Sequence, residues 1–307
     1  MVNLAIRTSR PYRRGCTVQE SPVSRGFLNL SGSAEADKFR KCLTRSGPPY
    51  DDRVLTTTPQ AAHRARLAPY VEPHLARRRD GEKHPVHDFL FTYYSFSPAK
   101  LLTWEPGWPE SGTAEQLQRL RPLARGIRHL LAATRSRPAH TGCFGLHEWA
   151  MVHGTSPTRH AVPLRLGPSG SDEVVESHRI ACSHFDAYRF FTESARPLNT
   201  LSPGRDDRAA YEQPGCLHAT MDLYKHAFRL WPLVGSDLVA DCFVLAWDVR
   251  EVDMRASPYD FADWGFAPIR IETADGKREY AAWQRGFADR AAPLRDRLVD
   301  ACDGLSS

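Results

Sequence analysis

Three short segments of this chain carry imidazoles and carboxylates at a density that packing alone does not require. The first, Gly142-Cys-Phe-Gly-Leu-His-Glu-Trp-Ala-Met-Val-His153, sets His147 beside Glu148. The second, Ser177-His-Arg-Ile-Ala-Cys-Ser-His-Phe-Asp-Ala-Tyr-Arg-Phe-Phe-Thr192, holds His178, His184 and Asp186. The third, Glu212-Gln-Pro-Gly-Cys-Leu-His-Ala-Thr-Met-Asp-Leu-Tyr-Lys225, places His218 and Asp222 four residues apart, on one face of a helix. Two chemistries draw on such groups. Acids and imidazoles with shifted pKa values move protons as general acids and bases, and the same side chains hold Zn(II) or non-haem Fe(II). His147 and His153 are six residues apart and share no helix face, so the first segment is not the HExxH zinc motif, which needs His at i and i+4. Asp222 stands out further. A mid-helix Asp costs up to about 0.7 kcal/mol against Ala, and a half-buried carboxylate must find partners or shift its pKa.

The elements that must position these groups are mainly helical. After Pro214-Gly215, Leu217, Met221, Tyr224, Phe228 and Trp231 recur at 3.6-residue spacing and predict a helix with one buried stripe, stopped by Pro232. Leu238 to about Glu251 is apolar on most sides and predicts a central helix. Further helices are expected over Ala61 to Arg79, over Ala114 to Ala133 with an interruption at Pro122, and over Arg278 to Cys302 with a kink at Pro293. Ser183 with Asp186 has the form of a capping box and predicts a helix from His184 to about Ala195. Two hairpins are expected: one turns at Gly167-Pro-Ser-Gly-Ser171 between Val162–Leu166 and Glu173–Ile180, the other at Ala274-Asp-Gly276 between Ile269–Thr273 and Lys277–Tyr280. The expected fold is therefore mainly α, a single-domain, helical bundle-like core over residues 60–307 with two small β-hairpin excursions. Residues 1–59 lack a sustained apolar period and are expected to be a basic, disordered N-terminal extension.

Charge narrows the partners. The chain has 307 residues and a formal charge of +5, but residues 1–50 alone hold nine Lys/Arg and three Asp/Glu, leaving 32 basic and 33 acidic residues in the remainder. The catalytic body is thus close to neutral and lacks the broad positive field that supplies most non-specific DNA affinity. Arg121, Arg125 and Arg128 fall on one helix face, which is read first as solvated and second as a phosphate-binding patch. Seven scattered cysteines with no CxxC pair argue against a disulfide framework. The most core-like apolar run is broken by Asp241, well short of a membrane span of roughly 20 residues. Met1 to Arg14 has no apolar region of a secretory signal. A reduced, cytoplasmic protein without a membrane partner is expected.

Five strings carry a resemblance: His87-Asp-Phe-Leu-Phe-Thr-Tyr-Tyr, Gly145-Leu-His-Glu-Trp-Ala-Met-Val, Cys182-Ser-His-Phe-Asp-Ala-Tyr-Arg-Phe-Phe-Thr, Gln213-Pro-Gly-Cys-Leu-His-Ala-Thr-Met-Asp-Leu-Tyr-Lys and Asp253-Met-Arg-Ala-Ser-Pro-Tyr-Asp. Over roughly residues 60–300 the chain resembles a bacterial family labelled 3-methyladenine DNA glycosylase. The resemblance implies hydrolysis of the N-glycosidic bond of an alkylated purine, with damaged DNA as partner and no cofactor. Such an enzyme flips the base, stacks it on aromatic rings and sets a carboxylate near the sugar. In that scheme Asp222 activates water or steadies the oxocarbenium ion, and Glu148 or Asp186 assists, with His147, His184 and His218 beside them. Trp149, Tyr224 or Phe185 stacks the base, and Arg189 or Lys225 meets a phosphate. Pro214-Gly-Cys-Leu217 departs from the Pro-Gly-x-Gly turn of helix-hairpin-helix glycosylases by lacking the second glycine. The competing reading is a metal-dependent hydrolase or oxidoreductase acting on a small molecule, with Zn or non-haem Fe held by His147, His184, His218 and Asp222. It requires the three segments to converge.

Overall fold

The computed structural model describes residues 58–154 and 162–306. All of its elements belong to the unit Arg53–Ser307; the extension expected at the N-terminus lies, up to residue 57, outside the described residues. In chain order the α-helices are α1 (Pro59–Asp80), α2 (Phe89–Thr92), α3 (Pro98–Leu101), α4 (Ala114–Arg135), α5 (Leu146–Ala150), α6 (Gly167–Glu176), α7 (Phe185–Tyr188), α8 (Arg208–Tyr211), α9 (Leu217–Arg229), α10 (Ser236–Arg255) and α11 (Ala274–Ser306). The mainly α expectation is met.

Helix α10 is the hub. Fifteen of its twenty residues are buried, and α9 packs along it while α11 packs against α4, α9 and α10. The stripe predicted on α9 is real: Leu217, Met221 and Tyr224 are buried, with Phe228 and Trp231 at the edge of the same core. Aromatic rings knit this core. Tyr224 lies edge-on to Tyr94 at 5.8 Å and to Phe243 at 5.2 Å, and Phe96 stacks on Phe228 at 4.8 Å. Helix α4 runs through Pro122 without a break. Its start is secured by a capping box in which Thr113 Oγ1 accepts from the Gln116 amide while Gln116 Oε1 accepts from the Thr113 amide, and packing on α11 compensates for the hydrogen bond that proline removes. The arginine face on α4 is only partly solvated: Arg121 Nε donates to the Leu305 carbonyl at 3.2 Å and Arg128 Nε to Asp303 at 3.0 Å.

Both predicted hairpins are replaced by helix. Among the described residues strand pairing is limited to two isolated bridges, Leu164 with Tyr259 and Ile180 with Asn199. Gly167-Pro-Ser-Gly-Ser171 is the first turn of α6, where Pro168 sits at a position whose N–H has no helical partner and Ser171 Oγ donates to the Gly167 carbonyl at 2.7 Å. Asp275-Gly276 likewise falls in the first turn of α11. Thr273 Oγ1 accepts from the Gly276 amide at 3.0 Å, as an N-cap does, so a capping residue won over the Asp-Gly turn signal. The helix expected to run from His184 to Ala195 is a single turn, α7, with His184 as its N-cap and no side-chain cap. Asp186 does not complete a capping box, because it accepts a hydrogen bond from Lys225 instead.

Two glycines of α11 differ in what they can accept. A Cβ on Gly276 would stand 1.9 Å from the Arg270 carbonyl oxygen, whereas one on Gly286 meets nothing within 4 Å. Gly276→Ala is therefore expected to destabilise the unit by roughly 1–3 kcal/mol through backbone displacement, and Gly286→Ala to stabilise it by about 0.5–1 kcal/mol. Urea denaturation of the two variants checks both signs.

Candidate metal centre

The first site segment is held by a tight local turn. Phe144 and Gly145 both have positive φ, 48° and 73°, which redirects the chain into the one-turn α5. A Cβ at Gly145 would crowd Ala256 and Tyr280 at 3.3 Å, so α5 sits hard against the end of α10 and against α11. Trp149 Nε1 anchors it, donating to the Ala256 carbonyl at 2.9 Å. The third segment is pinned by Gln213, whose Oε1 accepts from the amides of His140 and Gly215 while its Nε2 donates to the His140 carbonyl. This clamp fixes the start of α9, and with it His218, beside α5.

The result is that His147, Glu148 and His218 meet Asp253 of α10, with one ligand-capable atom from each lying within 4.8 Å of every other. His147 Nε2 is 3.2 Å from Asp253 Oδ1 and 3.8 Å from Glu148 Oε1, and the rings of His147 and His218 lie 4.5 Å apart. Asp253 is fully buried, and neither of its oxygens has a hydrogen-bond partner among the described residues. The His147 Nε2 facing it is equally unpaired, because the 3.2 Å approach lacks hydrogen-bond alignment. Two ligands each about 2.1 Å from one ion stand about 3 to 4.2 Å apart. The two His147 separations fall in that window, and the remaining pairs lie within 4.8 Å. On its other side His147 Nδ1 contacts Cys143 Sγ at 3.4 Å, which fixes the ring orientation as a partner behind a metal ligand does.

The electrostatics reflect two carboxylates in a dry place. Burial opposes ionisation of Asp253, but His147 beside it holds its carboxyl down at about 2. Burial also opposes a charge on His147, and Asp253 together with Cys143 overcomes this and pushes it well above the ordinary histidine value. Burial, then the neighbouring Asp253, raises Glu148. Burial, with His147 close by, drops His218 to about 3, leaving a neutral imidazole. Hydrogen bonding to Cys182 is the main influence that draws Cys143 well below an ordinary thiol. A cavity of about 10 Å³, lined by Cys143, Cys182, His147, His218, Tyr280 and Gln284 among others, adjoins the centre. It has room for one water-sized occupant and none for a purine.

No family model, curated protein or solved structure matches this chain. What the centre does must be read from its own geometry.

The remaining expected site residues form a second cluster. Asp222 is buried and bound from every side: Tyr94 Oη donates to it at 3.1 Å, Arg208 Nη2 at 2.8 Å and Lys225 Nζ at 3.0 Å, with His184 Nε2 3.5 Å away. Lys225 also donates to Asp186 at 2.7 Å, Arg189 Nε lies 3.4 Å from Asp186, and Arg208 Nε donates to Glu212 at 2.5 Å. So the sequence reading of Asp222 as a general base meets a carboxylate already saturated with donors. His184 faces Glu212 and Asp222, not the centre, although its ring lies 5.3 Å from that of His218. Trp149 and Tyr224, expected as base-stacking platforms, are fully buried core rings. Phe185 is half-buried and Arg189 exposed. Of the four expected metal ligands the fold thus brings His147 and His218 together and assigns His184 and Asp222 to the neighbouring ion-pair network. Sequence reasoning missed Asp253. Its signal was the one noted for Asp222, a carboxylate inside an apolar helix.

Burial works against the Asp222 charge, but His184 at 3.5 Å and Lys225 hold its carboxyl well below the ordinary value of 3.8. A group depressed in the folded state stabilises fully above its unfolded value and loses that contribution as pH falls toward the folded one. Asp222→Ala takes one of two carboxylates from both Arg208 and Lys225, which keep Glu212 and Asp186, and is expected to cost about 1–3 kcal/mol near neutral pH. In urea titrations the gap between wild type and variant should narrow below about pH 4; a gap independent of pH would mean that Asp222 is not ionised in the folded protein.

Proposed function

We propose that this protein is a metal-dependent enzyme in which His147, His218 and Asp253 hold Zn(II) or Fe(II), acting on a small molecule as a hydrolase or oxidoreductase. The observation that carries this reading is Asp253: a carboxylate with no exposure and no hydrogen bond, set between two imidazoles. His147 at 3.2 Å and Arg250 at 3.8 Å meet its charge without hydrogen bonds, and a divalent cation would bond its oxygens directly. Two His and one carboxylate are the ligand set of open zinc sites and of non-haem iron centres, both of which keep a coordination position for water or substrate. Glu148, raised by burial and less enclosed than Asp253, would serve as a fourth ligand or as the general base beside the ion. The thiol of Cys143 behind His147 orients the ligand without joining the set.

The glycosylase assignment that follows from the sequence resemblance has less support from this geometry. Its nominated base is locked by three donors, two of its stacking rings are internal, and the cavity at the centre is water-sized.

Elemental analysis of the purified protein is expected to find near-stoichiometric Zn or Fe. His218→Ala and Asp253→Asn should each weaken metal retention by about tenfold or more, whereas His184→Ala, whose ring faces Glu212 and Asp222, should retain the metal. Metal-free wild type with unimpaired activity would sink the reading. In parallel, incubation with methylated duplex DNA should release no free 3-methyladenine under conditions where a control glycosylase does, and its release would restore the DNA-repair assignment.

A further inference from the structure

Three cysteines from three separate segments meet at the water-sized cavity beside the centre. Cys143, Cys182 and Cys216 all line it, and the Cys143 and Cys182 thiols hydrogen-bond to each other. The other two described cysteines, Cys242 on α10 and Cys302 on α11, belong to the hydrophobic core. Of these five, Cys143 alone is partly exposed. It sits in the turn 142–145, whose last two residues have positive φ, and its Sγ lies 3.4 Å from His147 Nδ1. Cys182 is fixed: its amide donates to Asn199 Oδ1 at 2.7 Å, and its carbonyl accepts from Asn199 Nδ2 at 3.0 Å. One thiol is thus held still in the interior, and its neighbour is carried by a partly exposed turn.

The cavity beside them is furnished for a small polar guest. Gln284 of α11 borders it with 2% exposure; its Nε2 donates to the Gly215 carbonyl at 3.0 Å, while its Oε1 has no partner among the described residues. A buried acceptor left unpaired is unfavourable, and a guest bearing an O–H relieves it. The space, about 10 Å³, admits a single oxygen-sized group. Hydrogen peroxide meets both conditions, with an O–H for Gln284 and an oxygen that reaches sulfur. Oxidants the size of glutathione disulfide are too large to enter.

We propose that Cys143 and Cys182 form a peroxide-reactive dithiol, in which Cys143 is oxidised first and Cys182 resolves it to a disulfide. The Cys143 sulfur attacks one peroxide oxygen as the O–O bond breaks, giving a sulfenic acid; the departing hydroxide takes the thiol proton and leaves as water. The Cys182 sulfur then attacks the Cys143 sulfur. The S–S bond forms, the S–O bond breaks, and the hydroxyl leaves with the Cys182 proton as a second water. The two thiols lose two electrons in all, and one peroxide gains them. The proposal stands apart from the metal-dependent reading, with which it shares only the contact to His147.

Peptide mapping of the full chain, treated with hydrogen peroxide and then alkylated, tests it. The expected product is one Cys143–Cys182 disulfide, formed at least about tenfold faster than Cys242 or Cys302 loses its thiol and reversed by dithiothreitol. Cys182→Ser should leave Cys143 as a sulfenic acid that dimedone traps, and Cys143→Ser should abolish the disulfide and leave Cys182 free. A Cys143 no more reactive than Cys242 overturns the proposal, as does pairing of Cys143 with Cys216 or any other cysteine. A disulfide that no longer forms when a chelator is present is the work of iron and overturns the direct step. Faster modification of Cys143 by glutathione disulfide than by peroxide overturns the choice of oxidant. Should either variant fail to fold by circular dichroism, the wild-type map decides, since the linked peptide pair, or its absence, is read without any substitution.

Discussion

Four carboxylates, those of Glu148, Glu212, Asp222 and Asp253, are drawn into the middle of this helical unit, and the way their charge is balanced shapes everything around them. Glu212 and Asp222 are neutralised by protein alone, with Arg208 and Lys225 supplying direct hydrogen bonds and Tyr94 adding one more. Glu148 and Asp253 receive no such treatment. They meet His147 and Arg250 at distances or angles that do not make hydrogen bonds. The same interior therefore holds one cluster closed by hydrogen-bonded ion pairs and one whose ion pairs, at 3.2 to 3.9 Å, make no hydrogen bonds. That contrast within a single core is a sharper indicator of function than either cluster would be alone, since a complete ion-pair network needs no ligand.

Positioning such groups demands rigidity, and the rigidity comes from unlike sources. Asp253 rides on α10, an almost wholly buried helix. His218 depends on the Gln213 side chain, which clamps the turn before α9 to the His140 backbone. His147 and Glu148 depend on two residues with positive φ and on close packing of Gly145 against Tyr280 and Ala256. Around them the aromatic residues that looked available for stacking on a base, Tyr224 and Trp149 above all, are consumed in holding helices together.

Much of this was legible in the sequence, in a pattern that follows from physics. The stripe Leu217, Met221, Tyr224 and the apolar run after Leu238 located α9 and α10, because buried helices announce themselves by periodicity. The hairpins failed because short Gly-containing turns are ambiguous: Pro168 and Thr273 made the same residues into helix starts. The capping box at Ser183 and Asp186 failed because a tertiary ion pair with Lys225 outcompeted a local bond. Convergence of the three His-rich segments was anticipated with His147, His184, His218 and Asp222 as its members, but the fold joins only His147 and His218 and adds Glu148 and Asp253. Spacing along one helix says that His218 and Asp222 share a face; it cannot say that one turn of difference puts them in separate clusters, nor that Asp253 arrives from another helix.

The brevity of α5 has a dynamic consequence. His218 and Asp253 are carried by helices bound into the core over many turns, whereas His147 and Glu148 ride on five residues. Local opening is easiest where fewest backbone hydrogen bonds must break together. An ion held here would therefore enter and leave by the lifting of one turn, with half of its ligands departing as a pair while the other half keep their places, and its residence time would be set by the stability of that turn and not by the unfolding of the domain.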